Sequence, residues 1–216
     1  MLDKTLINLL KPSKDLTLEE ISSDVEKYIN IYEKELKPEL DSNENAVGIS
    51  AIQVGIPKNM FVIRNVLKDT IYINASFTQA FSSKGISKKN KIEESCLSFP
   101  NIYCLIDRYE KIFINGYILD LENKSINKIK PNTILKGFEA IVFQHEYDHT
   151  KGVTILQKGE KLLINTKNKD KDLNLIYQLL DIDDYIIDNE EKTIFKGVDY
   201  KLKSEEHYVI GVKNNK

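Results

Sequence analysis

The spacing of apolar residues near the start of the chain predicts a helix. Thr17-Leu18-Glu19-Glu20 has the form of a capping box, in which a threonine and a glutamate three residues later satisfy each other's backbone N–H groups. Apolar residues then recur every three or four positions, as one face of a helix requires. These positions are Ile21, Val25, Tyr28, Ile29 and Tyr32. The polar run 41–45 interrupts the pattern, so the N-terminal third is predicted to be mainly helical.

Short strands and one later helix are predicted for the middle of the chain. The strand-like runs, each bounded by polar or turn residues, are 60–64, 70–74 and 111–119. The serine- and lysine-rich stretch 82–90 predicts a solvated loop. A helix is predicted over 137–149, and the apolar positions assigned to it are Leu135, Phe138, Ile141 and Val142. These elements indicate an α+β fold, with antiparallel or mixed sheets of short strands packed around a central helix.

The character of the sequence changes after about residue 157. A charged stretch is followed by apolar residues at helical spacing, namely Leu173, Ile176, Tyr177, Leu179 and Leu180. Strands are predicted at 193–195 and 208–212. We therefore expect a catalytic core over 1–157 and a C-terminal extension over 158–216, packed on that core and without a chemical motif of its own.

Composition narrows the classes of protein. A chain of 216 residues with 41% hydrophobic and 30% charged residues is long enough for one sizeable core. A net charge of -2 gives no reason to expect nucleic acid or an anionic membrane as a ligand. No apolar run approaches the roughly 20 residues that span a bilayer, and the first residues lack the pattern of a secretory signal. We expect a cytoplasmic protein whose two cysteines, Cys96 and Cys104, are thiols.

The segment His145-Glu146-Tyr147-Asp148-His149 carries the strongest chemical signal. It is an H-E-x-x-H motif, and side chains four residues apart on a helix leave on the same face. Two imidazoles placed in this way bind one divalent metal, with the glutamate beside them to move a proton. Two of the three histidines of the chain lie at this spacing, which favours a metal site over a solvated histidine pair.

A catalytic metal site of this kind needs a third protein ligand. The three-histidine protease pattern is excluded, because Ile155 stands where its last histidine would be. Glu160 is available as the downstream glutamate of a thermolysin-like metallopeptidase. Cys96, in Glu94-Ser95-Cys96-Leu97-Ser98, is the other candidate.

Three segments together resemble the peptide deformylase family. The stretch from Ala46 to Gln53 resembles the motif Gly-x-Gly-(hydrophobic)-(Ala/Ser)-Ala-x-Gln, and 94–98 resembles Glu-Gly-Cys-Leu-Ser. Residues 144–149 match Gln-His-Glu-x-Asp-His in full. The resemblance covers roughly residues 40–157. Two positions depart from it, since Ala46 and Ser95 stand where the family has glycine, so altered peptide binding or metal access is an open alternative.

The resemblance implies a reaction and a set of residue roles. The expected reaction is hydrolysis of the formyl group from N-formyl-methionyl nascent peptides, with release of formate. The implied metal ligands are Cys96, His145 and His149. Glu146 is the implied general base, and the Gln53 amide with the Leu97 backbone N–H is the implied oxyanion site. A metallopeptidase and a catalytically silent relative are the alternatives.

The metal, the substrate contacts and the partners are implied in the same way. Thiolate and imidazole ligands suit several metals, and the resemblance favours Fe(II), with Zn(II), Ni(II) or Co(II) in isolated protein. The implied substrate-site residues are Gly48, Ile49, Glu94, Phe138, Ile141 and Val142. Glu94 is expected to pair with Arg108 and so hold the second motif in place. We expect a monomer whose partners are N-formyl-methionyl nascent peptides and the ribosome, and which binds neither nucleic acid of its own nor membrane.

Overall fold

The computed structural model describes residues 6–65, 68–82, 85–159, 161–169, 175–180 and 202–209. Its helices are α1 (Leu6–Leu9), α2 (Leu18–Ser23), α3 (Val25–Ile31), α4 (Lys37–Asp41), α5 (Gly137–Thr150) and α6 (Ile155–Lys158). Its strands are β1 (Gly48–Ser50), β2 (Met60–Arg64), β3 (Asp69–Gln79), β4 (Phe81–Ser82), β5 (Gly85–Ile86), β6 (Lys89–Cys96), β7 (Phe99–Tyr109), β8 (Lys111–Asp120), β9 (Ser125–Lys128), β10 (Ile134–Lys136), β11 (Lys161–Lys169), β12 (Leu175–Leu180) and β13 (Leu202–Val209). The α+β prediction is confirmed.

The chain divides into two compact units. The first contains Met1–Asn90 and Asp107–Thr154, and the second contains Lys91–Ile106 and Ile155–Lys216. The predicted domain boundary after residue 157 stays a prediction. No helix within the described ranges is long and apolar enough to cross a membrane.

A six-stranded sheet forms the framework of the first unit. Its order among the described residues is β1-β2-β3-β8-β10, with β9 also paired to β8. These pairs are antiparallel. The predicted strands at 60–64, 70–74 and 111–119 all lie within it, as β2, part of β3 and most of β8.

Helix α5 packs on this sheet through an aromatic core. The Phe143 ring meets Phe61 and Tyr72 edge to face, with ring centroids 5.1 and 5.0 Å apart. Ala140 and Val142 belong to the same buried cluster. Polar residues of the helix, including Gln144 and Glu146, are buried as well. The helix is thus the buried element that the sequence predicted, although polar groups occupy much of its surface.

The N-terminal helices follow the sequence pattern closely. The predicted capping box is present, since Thr17 N–H donates to Glu20 and Glu20 N–H donates to the Thr17 hydroxyl. A π-helical turn, Tyr32–Leu36, joins α3 to α4. Pro38, which has no N–H, lies in the first turn of α4, and the Lys37 N–H donates to the Tyr32 carbonyl five residues earlier, as in a π-helical turn.

Two local predictions in the first unit were wrong. Leu135 lies on β10 and pairs with Ile112, not on the helix, because Gly137 takes φ +57° and breaks the chain direction before α5 begins. The 82–90 stretch is not all loop, since β4 pairs with β5 and β6 begins at Lys89. Lys89 and Asn90 are exposed at the start of β6, and Gly85 in β5 has φ +109°, which glycine tolerates.

The end of α5 is set by Gly152. Its N–H donates to the His149 carbonyl and the Val153 N–H donates to Asp148, which is the Schellman pattern. Gly152 has φ +72°, and a β-carbon there would lie 2.5 Å from the Leu10 carbonyl oxygen. Helix α5 therefore ends soon after His149, a candidate metal ligand, in a turn that only glycine adopts without strain.

We expect Gly152→Ala to lower the free energy of unfolding by more than about 2 kcal/mol, because left-handed strain and the contact with Leu10 add together. Gly137→Ala is the matched control, since Gly137 also has positive φ but nothing lies within 4 Å of its would-be β-carbon. Chemical denaturation of both variants measures the difference. Equal losses in the two variants would show that the Leu10 contact contributes nothing.

The second unit contains a five-stranded sheet in the order β13-β12-β11-β7-β6, in which the pairs from β13 to β7 are antiparallel. In it β11 pairs with β7, placing Lys161 opposite Leu105 and Ile164 opposite Ile102. The helix predicted from Leu173 to Leu180 was wrong over 175–180, which is β12 and is paired on both sides, while Leu173 lies outside the described residues. Short apolar runs fit either period, and pairing on both edges satisfies the backbone of this one as a strand. The predicted strand at 208–212 overlaps the end of β13, while 193–195 lies outside the described residues.

Candidate metal centre

The two motif histidines lie in the last turns of α5. His149 is buried and His145 is half-buried. Their ring centroids are 4.9 Å apart and the ring planes are nearly perpendicular, at 80°. Four-residue spacing on a straight helix places them one above the other, so one divalent ion can be bound by both rings.

Cys96 brings a sulfur ligand to this pair. It is the last residue of β6, directly before the turn formed by Leu97 and Ser98, and its side chain is buried. The ligand atoms of Cys96, His145 and His149 all lie within 4.8 Å of one another, the one group of this kind among the described residues. A thiolate and two imidazoles suit zinc, iron, nickel or cobalt, so the donor set fits a divalent metal. Glu160, the competing ligand, lies outside the described residues.

Glu146 is buried against the first motif. Its side chain is only 3% exposed. A β-carbon built on Gly48 would come within 2.6 Å of Glu146 Oε1 and within 3.0 Å of Val142 Cγ1. The missing side chain of Gly48 therefore provides the space that the carboxylate occupies, and the first and third motifs are in contact at this point.

Gln53 is held by the turn that follows β1. It lies in the 3-10 turn Ala51–Val54, is 1% exposed, and accepts a hydrogen bond at Oε1 from the Ser50 N–H at 2.8 Å. Engaging Oε1 in this way leaves Nε2 as the donor atom of the amide. The side chain predicted for the oxyanion site is thus oriented by its own turn.

The family is decided by comparison with known proteins. A family model described as polypeptide deformylase matches residues 7–165. The chain belongs to the polypeptide deformylase family. It is 32% identical over 118 residues to a peptide deformylase of Aquifex aeolicus, an alignment that covers 52% of this chain and 62% of that relative, less than two thirds of its length.

Other members of the deformylase family match over more of their length. A peptide deformylase of Thermotoga petrophila is 29% identical over 161 residues, covering 72% of this chain and 91% of that relative. Among solved structures, a peptide deformylase from Synechococcus elongatus in complex with actinonin has a TM-score of 0.53 and 25% identity. That match covers 71% of this chain and 74% of the other. Membership of this family implies a divalent metal, which agrees with the cysteine and histidine cluster.

The two departures from the deformylase motifs cause no backbone strain. Ala46 is buried and Ser95 is exposed on β6. Neither belongs to the described non-glycine residues with positive φ, which are Asn74, Lys124 and Asn132. An L-residue is therefore accommodated at both positions without left-handed geometry. This removes the conformational reason for expecting a silent deformylase relative.

The residues predicted to contact substrate differ in exposure. Ile49 is fully buried and Val142 belongs to the core beneath α5. Ile141 is half-buried, and Phe138 is 65% exposed at the start of the helix. Glu94 is buried, and its predicted pairing with Arg108 stays a prediction. Phe138 and Ile141 are thus the two with surface available to a ligand.

A polar network around the third deformylase motif was not predicted. Buried Arg108 donates to Asp148 at 2.5 Å, and the amide of Gln144 exchanges hydrogen bonds with the backbone of Tyr109. The sequence did contain a signal for this network, because Gln144 and Asp148 belong to the third motif although neither is a metal ligand or an acid–base group. Burial, followed by the nearby Asp148 carboxylate, raises the pKa of the Tyr147 phenol, which therefore stays protonated at neutral pH.

We expect Gly48→Ala to lower kcat about 100-fold, because misplacing a catalytic group by about 1 Å has an effect of this size. The new methyl group would lie 2.6 Å from Glu146 Oε1, well inside the 3.4 Å at which ordinary contact begins, so the carboxylate must move. Steady-state kinetics with a formylated peptide measures the change. In a Glu146→Gln background the same substitution should have little further effect, and a second full loss there would contradict the argument.

Proposed function

We propose that the protein hydrolyses the N-formyl group of N-formyl-methionyl peptides, releasing formate. The observation that carries the proposal is the convergence of Cys96, His145 and His149 within 4.8 Å, in a member of the deformylase family. We further propose that the bound ion is Fe(II) in the native protein, with Zn(II), Ni(II) or Co(II) in protein isolated in air. A bound divalent metal lowers the pKa of water to about 7, which makes a nucleophile available at neutral pH.

Glu146 would move the protons of the reaction. Its carboxylate is buried beside Gly48, and a carboxylate held in one place can both accept and return a proton. In the proposed sequence Glu146 accepts the proton of the attacking water at a carboxylate oxygen. It then donates that proton to the nitrogen of the leaving amine when the C–N bond breaks.

Gln53 and Leu97 would stabilise the negative charge that develops on the formyl oxygen. The Ser50 N–H donates to Gln53 Oε1 and so fixes the orientation of the amide, which supports this role. The Leu97 N–H belongs to the turn directly after Cys96. Donors placed beforehand in a site of low dielectric constant typically contribute about 2.7–4 kcal/mol each to lowering such a barrier.

The peptide would bind as an added strand beside β1. Within the described part of the sheet β1 pairs only with β2, so the backbone of Gly48 and Ile49 lies at a sheet edge. Extended peptides commonly add to such an edge through main-chain hydrogen bonds. We propose that Phe138 and Ile141 contact the peptide, that Val142 and Ile49 shape the site from the core, and that Glu94 supports the second motif.

Release of formate from formyl-Met-Ala-Ser by protein purified without oxygen tests the function. The metal content of the same sample is measured in parallel, because an Fe–thiolate site is sensitive to oxidation. We expect turnover with one metal per chain. Protein that binds one equivalent of metal and releases no formate would instead be a silent relative, and cleavage of the peptide bond would indicate a metallopeptidase. Since formylated nascent chains arise at ribosomes, we propose that the protein acts in the compartment that contains them.

A further inference from the structure

The corner between β7 and β8 holds α5 through directional polar contacts. Arg108, which is 1% exposed, donates from Nη1 to Asp148 Oδ2 at 2.5 Å. The next residue, Tyr109, donates its N–H to Gln144 Oε1 at 3.0 Å and accepts from Gln144 Nε2 at 2.9 Å. Both contacts join one strand end to two residues one helical turn apart.

A third contact comes from the following residue. The Gly137 N–H, at the start of α5, donates to the Glu110 carbonyl at 2.9 Å. Residues 108–110 therefore hold the helix at three heights, near its beginning, its middle and its end. We call these three residues and their contacts the corner clamp.

The clamp positions alternate with the metal-ligand candidates along α5. Gln144 and Asp148 immediately precede His145 and His149, and each step along a helix turns by about 100°. The clamped stripe and the histidine stripe therefore run side by side along the same two turns. Any rotation of α5 about its axis moves both stripes together.

Small rotations matter for metal binding. Side chains extend about 5–6 Å from the axis of a helix, so a roll of about 2° moves their ends by about 0.2 Å. That is the tolerance expected for metal–ligand distances. The apolar contacts of Val142 and Phe143 hold α5 on the sheet, but such packing is non-directional. Hydrogen bonds weaken steeply away from their preferred angles, so the corner clamp restrains the roll directionally, as does the Ser13 N–H that donates to the Thr150 carbonyl at the end of the helix.

We propose that the corner clamp sets the rotation of α5 about its axis and thereby orients the side chains of His145 and His149 for metal binding. Arg108, Asp148 and Gln144 are then positioning residues. This rests on the metal site of the proposed function but not on the reaction. It is tested through Co(II) binding to metal-free protein, followed by chelator competition and by the visible absorption of the bound ion. These measurements remain informative even if no formate is released.

Substitutions within the clamp distinguish an effect on the orientation of the histidines from an effect of charge on Co(II) affinity. If charge alone mattered, Arg108→Met would strengthen Co(II) binding, because it removes a positive charge, and Gln144→Met would leave it unchanged. If the clamp orients the histidines, both variants should weaken Co(II) binding about tenfold or more and alter the absorption spectrum of the bound Co(II). Loss of groups that orient metal ligands typically has an effect of this size. Arg108→Lys keeps the charge and one donor, and should recover much of the affinity.

Asp69→Asn is the matched control for general destabilisation. Asp69 also pairs with an arginine, Arg64, at 3.2 Å, but in the β2–β3 pair and not on α5. It should lower the thermal midpoint of the metal-free protein while keeping wild-type Co(II) affinity and spectrum. The proposal is overturned if Gln144→Met and Arg108→Met bind Co(II) as wild type does, or if Asp69→Asn weakens binding equally. It is also overturned if no clamp variant folds, because the clamp would then support the fold itself.

Discussion

Replacing Glu146 with glutamine is expected to abolish most turnover while the metal stays bound. The substitution keeps the size of the side chain and its buried place beside Gly48, but glutamine cannot accept a proton from water at neutral pH. A positioned general base or acid typically contributes about 10²–10⁴-fold to the rate, so kcat should fall by that factor. Formate release and metal content are measured on the same preparation.

Glu139→Gln is the control on the same helix. Glu139 lies two turns earlier, is half-buried, and is within 3.4 Å of Asn65. Its variant should retain wild-type turnover and metal content. Unchanged kcat in Glu146→Gln would exclude the carboxylate as general base, and loss of metal from that variant would mean that Glu146 is a ligand.

Replacing Cys96 with alanine is expected to remove the metal altogether. The variant leaves two imidazoles, and two ligands do not hold a divalent ion against a chelator as three do. Loss of a group that merely orients a ligand already weakens binding about 10–100-fold, so loss of the sulfur itself should weaken it by more. Metal analysis after dialysis against a chelator should find almost none, and formate release should be absent.

Cys104→Ala is the matched control, because Cys104 is the other buried thiol and lies on β7, with Sγ 3.8 Å from the Glu94 carbonyl. We expect it to keep metal and activity, with some loss of stability from the small cavity. Full metal content in Cys96→Ala would transfer the third-ligand role to another residue, and Glu160 would then be tested by Glu160→Gln.

Local signals in the sequence predicted the elements whose determinants lie close together along the chain. The capping box at Thr17 and Glu20 formed as predicted because both partners lie within one turn. The helix predicted over 137–149 is α5, one residue longer, and the strands at 60–64 and 111–119 are present. Long, regular patterns bounded by turn residues specify their own structure.

Elements that depend on distant partners were not predictable in this way. Residues 175–180 have apolar positions that suit a helix, yet pairing with β11 and β13 makes them a strand. Leu135 continues the apolar pattern of α5, but it lies in β10 and pairs with Ile112 of β8. In both cases backbone hydrogen bonding across the sheet overrides local preference, because no single-segment pattern contains the partner strand.

The sequence by itself determined the chemistry available to this protein. Three motifs supplied a thiolate, two imidazoles, a carboxylate and an amide, and the types and order of these groups were enough to indicate the family. Only the tertiary structure decided how they are held. It placed Gly48 so that its missing side chain makes room for Glu146, and it placed the corner 108–110 against α5. Residue types determine which reactions are accessible, whereas the distances and orientations between them depend on contacts between segments far apart in the chain.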